Sequence, residues 1–254
     1  MTANDVIKSL KKIADPARAQ SLARFFKGGL GEYGYGDRFL GVATVAMQRG
    51  LARESKSLSL DEIAKLLTNP FHEVRFVALE ILVMQYEEAG KLTDERKSAT
   101  EKKKVCDFYL AHTSGVNNWD LVDTSAPYIL GDYLLTRRQK RRILYRLARS
   151  NNLWERRISI VATQKLIAAE HYEDTLKLAQ LLLNDTHDLI HKAVGWMLRE
   201  MGKKSVSTLD HFLDTHAAKM PRTMLRYAVE KFSDEKRVRY LSMKQRKNTA
   251  MTSA

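Results

Sequence analysis

The segment Asn117-Asn118-Trp119-Asp120-Leu121-Val122-Asp123 holds the residues best suited to chemistry. If it is helical, Trp119 and Asp123 are four residues apart and share a face, while Leu121 and Val122 turn toward a core. The chain around them is basic, with 43 Lys plus Arg against 30 Asp plus Glu and a formal net charge of +13. Such an excess points to a polyanionic partner: DNA, RNA or an anionic membrane surface. A carboxylate adds little affinity where phosphate is to be met, so Asp123 is better suited to facing a developing positive charge. The plainer alternative makes Trp119 a core residue and Asp123 a helix cap. Trp196 follows His191 in a later helix, and Trp154 beside Leu153 reads as a packing residue.

Other chemical patterns fare less well. Gly29-Leu-Gly-Glu-Tyr-Gly34 is a literal GxGxxG, but Ser21 to Lys27 before it reads as helix and no βαβ pattern surrounds it. It reads as a helix connector whose tyrosines, Tyr33 among them, can touch a ligand, with Phe25 and Lys27 just ahead of it. His187 and His191 have the spacing of a zinc peptidase helix, but no glutamate base and no third ligand stand near them. No metal is expected. A single cysteine, Cys106, excludes an internal disulfide framework and fits a reducing compartment. Basic runs occur at Lys102-Lys103-Lys104, at Arg137 to Arg142 and from Lys236 to Lys247. Each alone fits a solvated helix face; their sum calls for a polyanion.

These residues must be positioned by helices. With 12 Gly and 4 Pro, the chain lacks the breaks of an all-β fold. Apolar residues recur at three- and four-residue steps, as in Phe76, Leu79, Leu82 and Val83 or Ile158, Val161, Leu166 and Ile167. Helix starts are expected near Asp15-Pro16, Asn69-Pro70, Ser125 and Pro221, and stops near Gly50, Gly115 and Gly202. The fold class expected is all-α. Similar dipeptides recur along the chain, with polar members at 75, 123, 157, 191 and 226, the last steps being 34, 34 and 35 residues. A fixed period of this kind signals an α-solenoid of HEAT-like helical repeats. Asp123, Arg157, His191 and Arg226 would then form one stripe on a concave basic groove, unless the short matches arose by chance. One domain over 1–254 is expected, with about 236–254 as a basic tail. Met1 to Pro16 reads as an amphipathic helix without the apolar core of a signal peptide. No apolar run reaches the length of a membrane span. The reading is a soluble intracellular protein.

Four segments carry a resemblance: Gly31-Glu-Tyr-Gly-Tyr-Gly-Asp-Arg-Phe-Leu-Gly-Val42, Asn118-Trp-Asp-Leu-Val-Asp123, Leu153-Trp-Glu-Arg-Arg-Ile158 and Lys192-Ala-Val-Gly-Trp-Met-Leu-Arg-Glu200. Together, over roughly residues 5 to 232, the chain resembles the AlkD family of DNA alkylation-repair glycosylases. The resemblance implies a HEAT-like fold that holds duplex DNA and hydrolyses the N-glycosidic bond of N3- and N7-alkylated purines. It implies that Asp123 is the catalytic carboxylate, that Trp119 and Trp196 flank the lesion's sugar, and that Arg157 holds the backbone. Some members carry tyrosine where Phe25 aligns, so a hydroxyl role there is not carried over. The DNA-binding set expected is thus Arg157, Phe25, Lys27, Tyr33, His191 and Arg226, acting without a cofactor, as a monomer, in the cytoplasm at the nucleoid. The competing readings are a non-catalytic HEAT-type scaffold and an RNA-binding repeat protein.

Overall fold

The computed structural model describes residues 1–243. Every regular element among them is a helix or helical turn, and strand pairing is limited to one isolated bridge between Arg38 and Phe71. The all-α expectation holds. The chain divides into two compact units, Met1–Tyr133 and Leu134–Ala254.

The first unit contains α1 (Ala3–Lys12), α2 (Pro16–Phe25), α3 (Val45–Glu54), α4 (Leu60–Leu67), α5 (His72–Gly90), α6 (Glu95–Ala111) and α7 (Trp119–Ser125). Helix α1 is amphipathic as expected, burying Ala3, Val6 and Leu10 behind a Thr2 capping box. Pro16 occupies the first position of α2 and Asp15 caps it through the Ala17 and Arg18 amides. Helix α5 is the unit's axis: every residue from His72 to Val83 is buried, and α1, α3, α4, α6 and α7 pack against it. A helix buried all round must satisfy its own polar residues internally. Glu73 does so by accepting the Leu40 and Gly41 amides at 3.0 and 2.8 Å. Gly41 has a φ of +82°, and a Cβ there would fall 2.0 Å from the Asp15 carbonyl oxygen, so only glycine lets this loop cross the start of α2. Cys106 is buried within α6, close in sequence to the equally buried Tyr109.

Helix α8 (Asp132–Leu135) spans the boundary. The second unit continues with α9 (Arg142–Ala148), α10 (Leu153–Val161), α11 (Gln164–Ala168), α12 (Glu173–Leu181), α13 (Asp188–Lys204), α14 (Val206–His216), α15 (Arg222–Ala228) and α16 (Asp234–Leu241). Here α13 is the axis, contacted by α10, α11, α12, α14 and α15. It packs closely on α15: a Cβ on Gly195 would meet the Met224 carbonyl and the Tyr227 Cβ, each at 2.5 Å. The buried Arg141 ties the start of this unit together, bonding Asp174 at 3.0 Å and the Leu134 and Leu135 carbonyls.

Several boundaries differ from the sequence expectation. Ser125 ends α7 rather than starting a helix; its hydroxyl is turned inward onto the Leu121 carbonyl at 2.6 Å. Gly50 and Gly202 lie inside α3 and α13, so neither is a stop. At Gly202 the missing Cβ makes room for Leu209 of α14, which occupies that space. The basic tail expected from 236 is instead helical to Leu241, with Ser233 capping α16 and Tyr240 fully buried, its hydroxyl shared by Asp210 and Asp214. The remainder of that tail, 244–254, lies outside the described residues. The shared register survives as helix position: Asp123, Arg157 and Arg226 are each the fifth residue of their helix, and His191 the fourth. Equal exposure does not follow. Arg157 is buried, Asp123 and His191 are half-buried and Arg226 is exposed.

Candidate active site

Helix α7 is started by Asn118, whose side-chain oxygen accepts the Trp119 amide at 2.8 Å. Leu121 and Val122 are then fully buried, each contributing about 1.5–3 kcal/mol to holding the helix down. This rotation leaves Trp119 and Asp123 together on the wall of a cavity of about 490 Å³. The other walls come from Leu22, Phe25 and Phe26, from the start of α3, and from His72 and Phe76 of α5. The Trp119 ring is stacked on Phe26 at 5.5 Å between centroids and meets Phe25 edge-on at 5.9 Å. Phe25 is 61% exposed and presents its ring at the cavity.

Beneath the aromatic wall lies an ionic network that the motifs did not point to. His72 is sandwiched near Phe26 and Phe39 and is buried. Its Nε2 lies 2.8 Å from Asp120 Oδ2 and its Nδ1 lies 3.3 Å from Asp37 Oδ2. Burial favours the neutral ring, but the charge and hydrogen bond of Asp120, with a further bond to Asp37, outweigh it and raise the pKa to about 9. His72 is therefore an imidazolium at neutral pH, donating from both nitrogens. Burial pushes the Asp37 carboxyl up, while His72 and Arg75 hold it below the ordinary value. Arg75 donates to Asp37 Oδ1 and to the Asn69 carbonyl, both at 2.7 Å. Asn117 and Asn118 also donate to Asp37, at 3.2 and 3.3 Å. The loop carrying Asp37 is thereby pinned to the start of α7, and Trp119 sits between two residues, Asn118 and Asp120, that are both held.

Another buried acid, Glu80 of α5, accepts the Thr124 hydroxyl at 2.6 Å and the Arg49 Nε at 3.1 Å. Thr124 follows Asp123, so α7 is tied to α5 on both sides of the candidate carboxylate. His72, Asp120, Asp37, Arg75, Glu80 and Arg49 are the residues that motif reading passed over. The available signal was in α5 itself: His72, Glu73, Arg75 and Glu80 interrupt an otherwise apolar run, and polar side chains in such a run need partners.

Of the other expected residues in the first unit, Lys27 follows α2 with a left-handed φ of +55° and has its ammonium 4.0 Å from Glu32. Tyr33 is half-buried in the turn that follows. The glycine-rich segment is a series of turns between α2 and α3, not a dinucleotide loop. The second unit holds the rest. Arg157 donates from Nη1 to the Leu189 carbonyl at 2.7 Å, tying α10 to the first turn of α13. Trp196 is half-buried on α13 and Arg226 exposed on α15. His187 caps α13 by accepting the Leu189 amide, and burial lowers its pKa. A ring nitrogen of His191 bonds the Asp185 carbonyl. Among the described residues, no group of three or more His, Cys, Asp or Glu could hold a metal ion.

Residues 6–232 match the family model described as DNA alkylation repair enzyme. The chain belongs to that family. Its fold is similar to that of a predicted DNA alkylation repair enzyme from Enterococcus faecalis, with a TM-score of 0.65 at 15% identity over 87% of this chain and 97% of the other. It is also similar to the smu.31 protein of Streptococcus mutans UA159, with a TM-score of 0.50 at 18% identity over 85% of this chain and 100% of that one. No curated protein sequence matches the chain. Membership makes DNA alkylation repair the setting of the site and DNA its partner. No helix among the described residues is long and apolar enough to cross a membrane.

Proposed function

We propose that the protein is a DNA glycosylase that hydrolyses the N-glycosidic bond of N3- and N7-alkylated purines in duplex DNA. The observation that carries this reading is the pairing of Trp119 and Asp123 on one open cavity wall of a strongly basic chain. Alkylation at N3 or N7 gives the purine a positive charge and makes it a good leaving group. As the bond to C1′ breaks, positive charge moves onto the sugar. Asp123 stabilises that charge and positions or deprotonates the attacking water, whose oxygen forms the new bond to C1′. The π-face of Trp119, and that of Trp196, favours the electron-poor sugar as it favours a cation, by about 0.5–2 kcal/mol each.

Arg157, Phe25, Lys27, Tyr33, His191 and Arg226 are assigned to backbone contact, which sets register without reading sequence. The chemistry asks for no cofactor, and hydrolysis leaves an abasic site without cleaving the strand. The protein acts as a monomer, in the cytoplasm at the nucleoid.

The test is mass-spectrometric detection of bases released from methylated duplex DNA. Wild type releases 7-methylguanine or 3-methyladenine; Asp123→Asn binds the same duplex but releases them about 10²–10³-fold more slowly. Near-normal release by that variant removes Asp123 from the chemistry. Binding without release by the wild type supports the scaffold reading instead, and preference for single-stranded RNA the RNA-binding one.

A further inference from the structure

The cavity that carries Asp123 also carries a cation with an unusual support. Arg49 of α3 lines it with its side chain about half exposed, at 49%. Its Nε donates to Glu80 Oε1 at 3.1 Å, and the Glu80 side chain is only 9% exposed. The same Oε1 accepts Thr124 Oγ1 at 2.6 Å, so one buried carboxylate fixes both the arginine and the turn that follows Asp123. A buried carboxylate that loses its cation is strongly destabilised, so Glu80 holds Arg49 firmly. An ordinary surface arginine, by contrast, samples many rotamers and binds an anion only after ordering itself. Arg49 is already ordered through Nε, which leaves Nη1 and Nη2 as further donors on a side chain that lines the cavity. A planar pair of donors of this kind matches the oxygens of a phosphodiester. Arg18 of α2 lines the same cavity and adds positive charge there.

We propose that Arg49 is a preorganised clamp for a DNA backbone phosphodiester beside the nucleotide presented to Asp123, with Glu80 as its positioning residue. The proposal rests on the glycosylase reading for the identity of the nucleotide, but the phosphate contact itself is measurable on undamaged DNA. Its effect is to set where the strand lies relative to α7, since Glu80 links Arg49 to Thr124.

The experiment measures binding of the full chain to an unmodified duplex by fluorescence anisotropy from about 50 to 200 mM salt. Each phosphate contact contributes about 0.9 to the slope of log affinity against log salt. Arg49→Ala should lower the slope by that amount, so that its affinity falls about 3.5-fold less than wild type across the range. Arg49→Lys should keep the slope but bind more weakly at every salt, because a point charge lacks the fork. Glu80→Gln should likewise keep the slope and lose affinity. Arg96→Ala, an exposed change on α6 away from the cavity, should alter neither. A wild-type slope in folded Arg49→Ala, or an equal fall in Arg96→Ala, overturns the clamp. Unchanged affinity in Glu80→Gln overturns the positioning role, and Arg49→Lys tests the fork without disturbing the buried acid. Release of alkylated bases is measured separately. A wild type that binds with the expected slope change but releases nothing overturns the glycosylase reading and leaves the clamp standing. A wild type that releases bases while Arg49→Ala keeps the full slope does the reverse.

Discussion

Helices α7 and α10 begin with nearly the same words. Each is capped by an asparagine whose side-chain oxygen accepts a tryptophan amide, Asn118 to Trp119 at 2.8 Å and Asn152 to Trp154 at 2.9 Å. Each then has a charged residue at its fifth position, Asp123 or Arg157. Their surroundings diverge. In α10 the tryptophan is 8% exposed and Arg157 is buried against the Leu189 carbonyl, because α9 and α13 cover the helix. In α7 the facing element is the end of α2 and the loop after it, which leave a cavity where a covering helix would otherwise lie. The same local pattern thus makes a packing helix in one unit and a cavity wall in the other. What separates them is the neighbour, and buried ions pin the neighbour of α7, the loop carrying Asp37, to that helix's first residues.

The largest expected effect belongs to those ions. His72→Ala should cost about 3–5 kcal/mol of stability, the penalty for stranding a buried charge, read by denaturant unfolding. Its loss should release the start of α7, whereas α10 carries its own ion pair, Arg156 with Asp185 at 2.7 Å, and should be unaffected. Next comes Asp123→Asn, which should lower excision of 7-methylguanine by about 10²–10³-fold while thermal stability holds. A loss of stability with excision intact would make α7 a packing helix like α10. The converse holds for Arg157→Ala, expected to cost about 1.5–3 kcal/mol by removing a buried charged donor's bond to the Leu189 carbonyl. A variant that unfolds normally but binds DNA weakly would instead assign Arg157 to the backbone alone.

The pH dependence sharpens the contrast further. The folded pKa of His72 lies near 9, above its ordinary 6.5, so its contribution is complete below pH 6.5 and is lost as pH rises through about 9. Asp37, Asp120 and Arg75 face this ring, and wild type should lose stability across that window by more than His72→Gln does. The smallest effect is expected from the tryptophans. Trp119→Leu should reduce excision by the equivalent of about 0.5–2 kcal/mol, and Trp154→Leu should change melting but not excision.

The amino-acid sequence made the helices legible because periodicity and caps are local. Asp15-Pro16 and Pro221 marked real starts for that reason. It also put Trp119 and Asp123 on one face and Leu121 and Val122 in the core, which needs only the helical repeat. Gly202 misled because its role depends on a distant atom: it makes room for Leu209 of the next helix. The register of Asp123, Arg157, His191 and Arg226 was readable as spacing but not as exposure, since exposure is set by what covers each helix. His72 with Asp37 and Asp120 escaped notice because its partners lie 35 and 48 residues away. The polar residues within α5 signalled that partners existed without saying which.

The burial of Cys106 has a practical consequence for this comparison. It is the chain's one thiol, and it lies in the first unit at 1% exposure. An external disulfide reagent can reach it only when that unit opens, so the rate of labelling is a clock on the opening of α6 and its neighbours. The wild-type protein therefore carries its own reporter for the half of the molecule that holds Asp123. The reporter is silent about the other half, and needs no introduced probe.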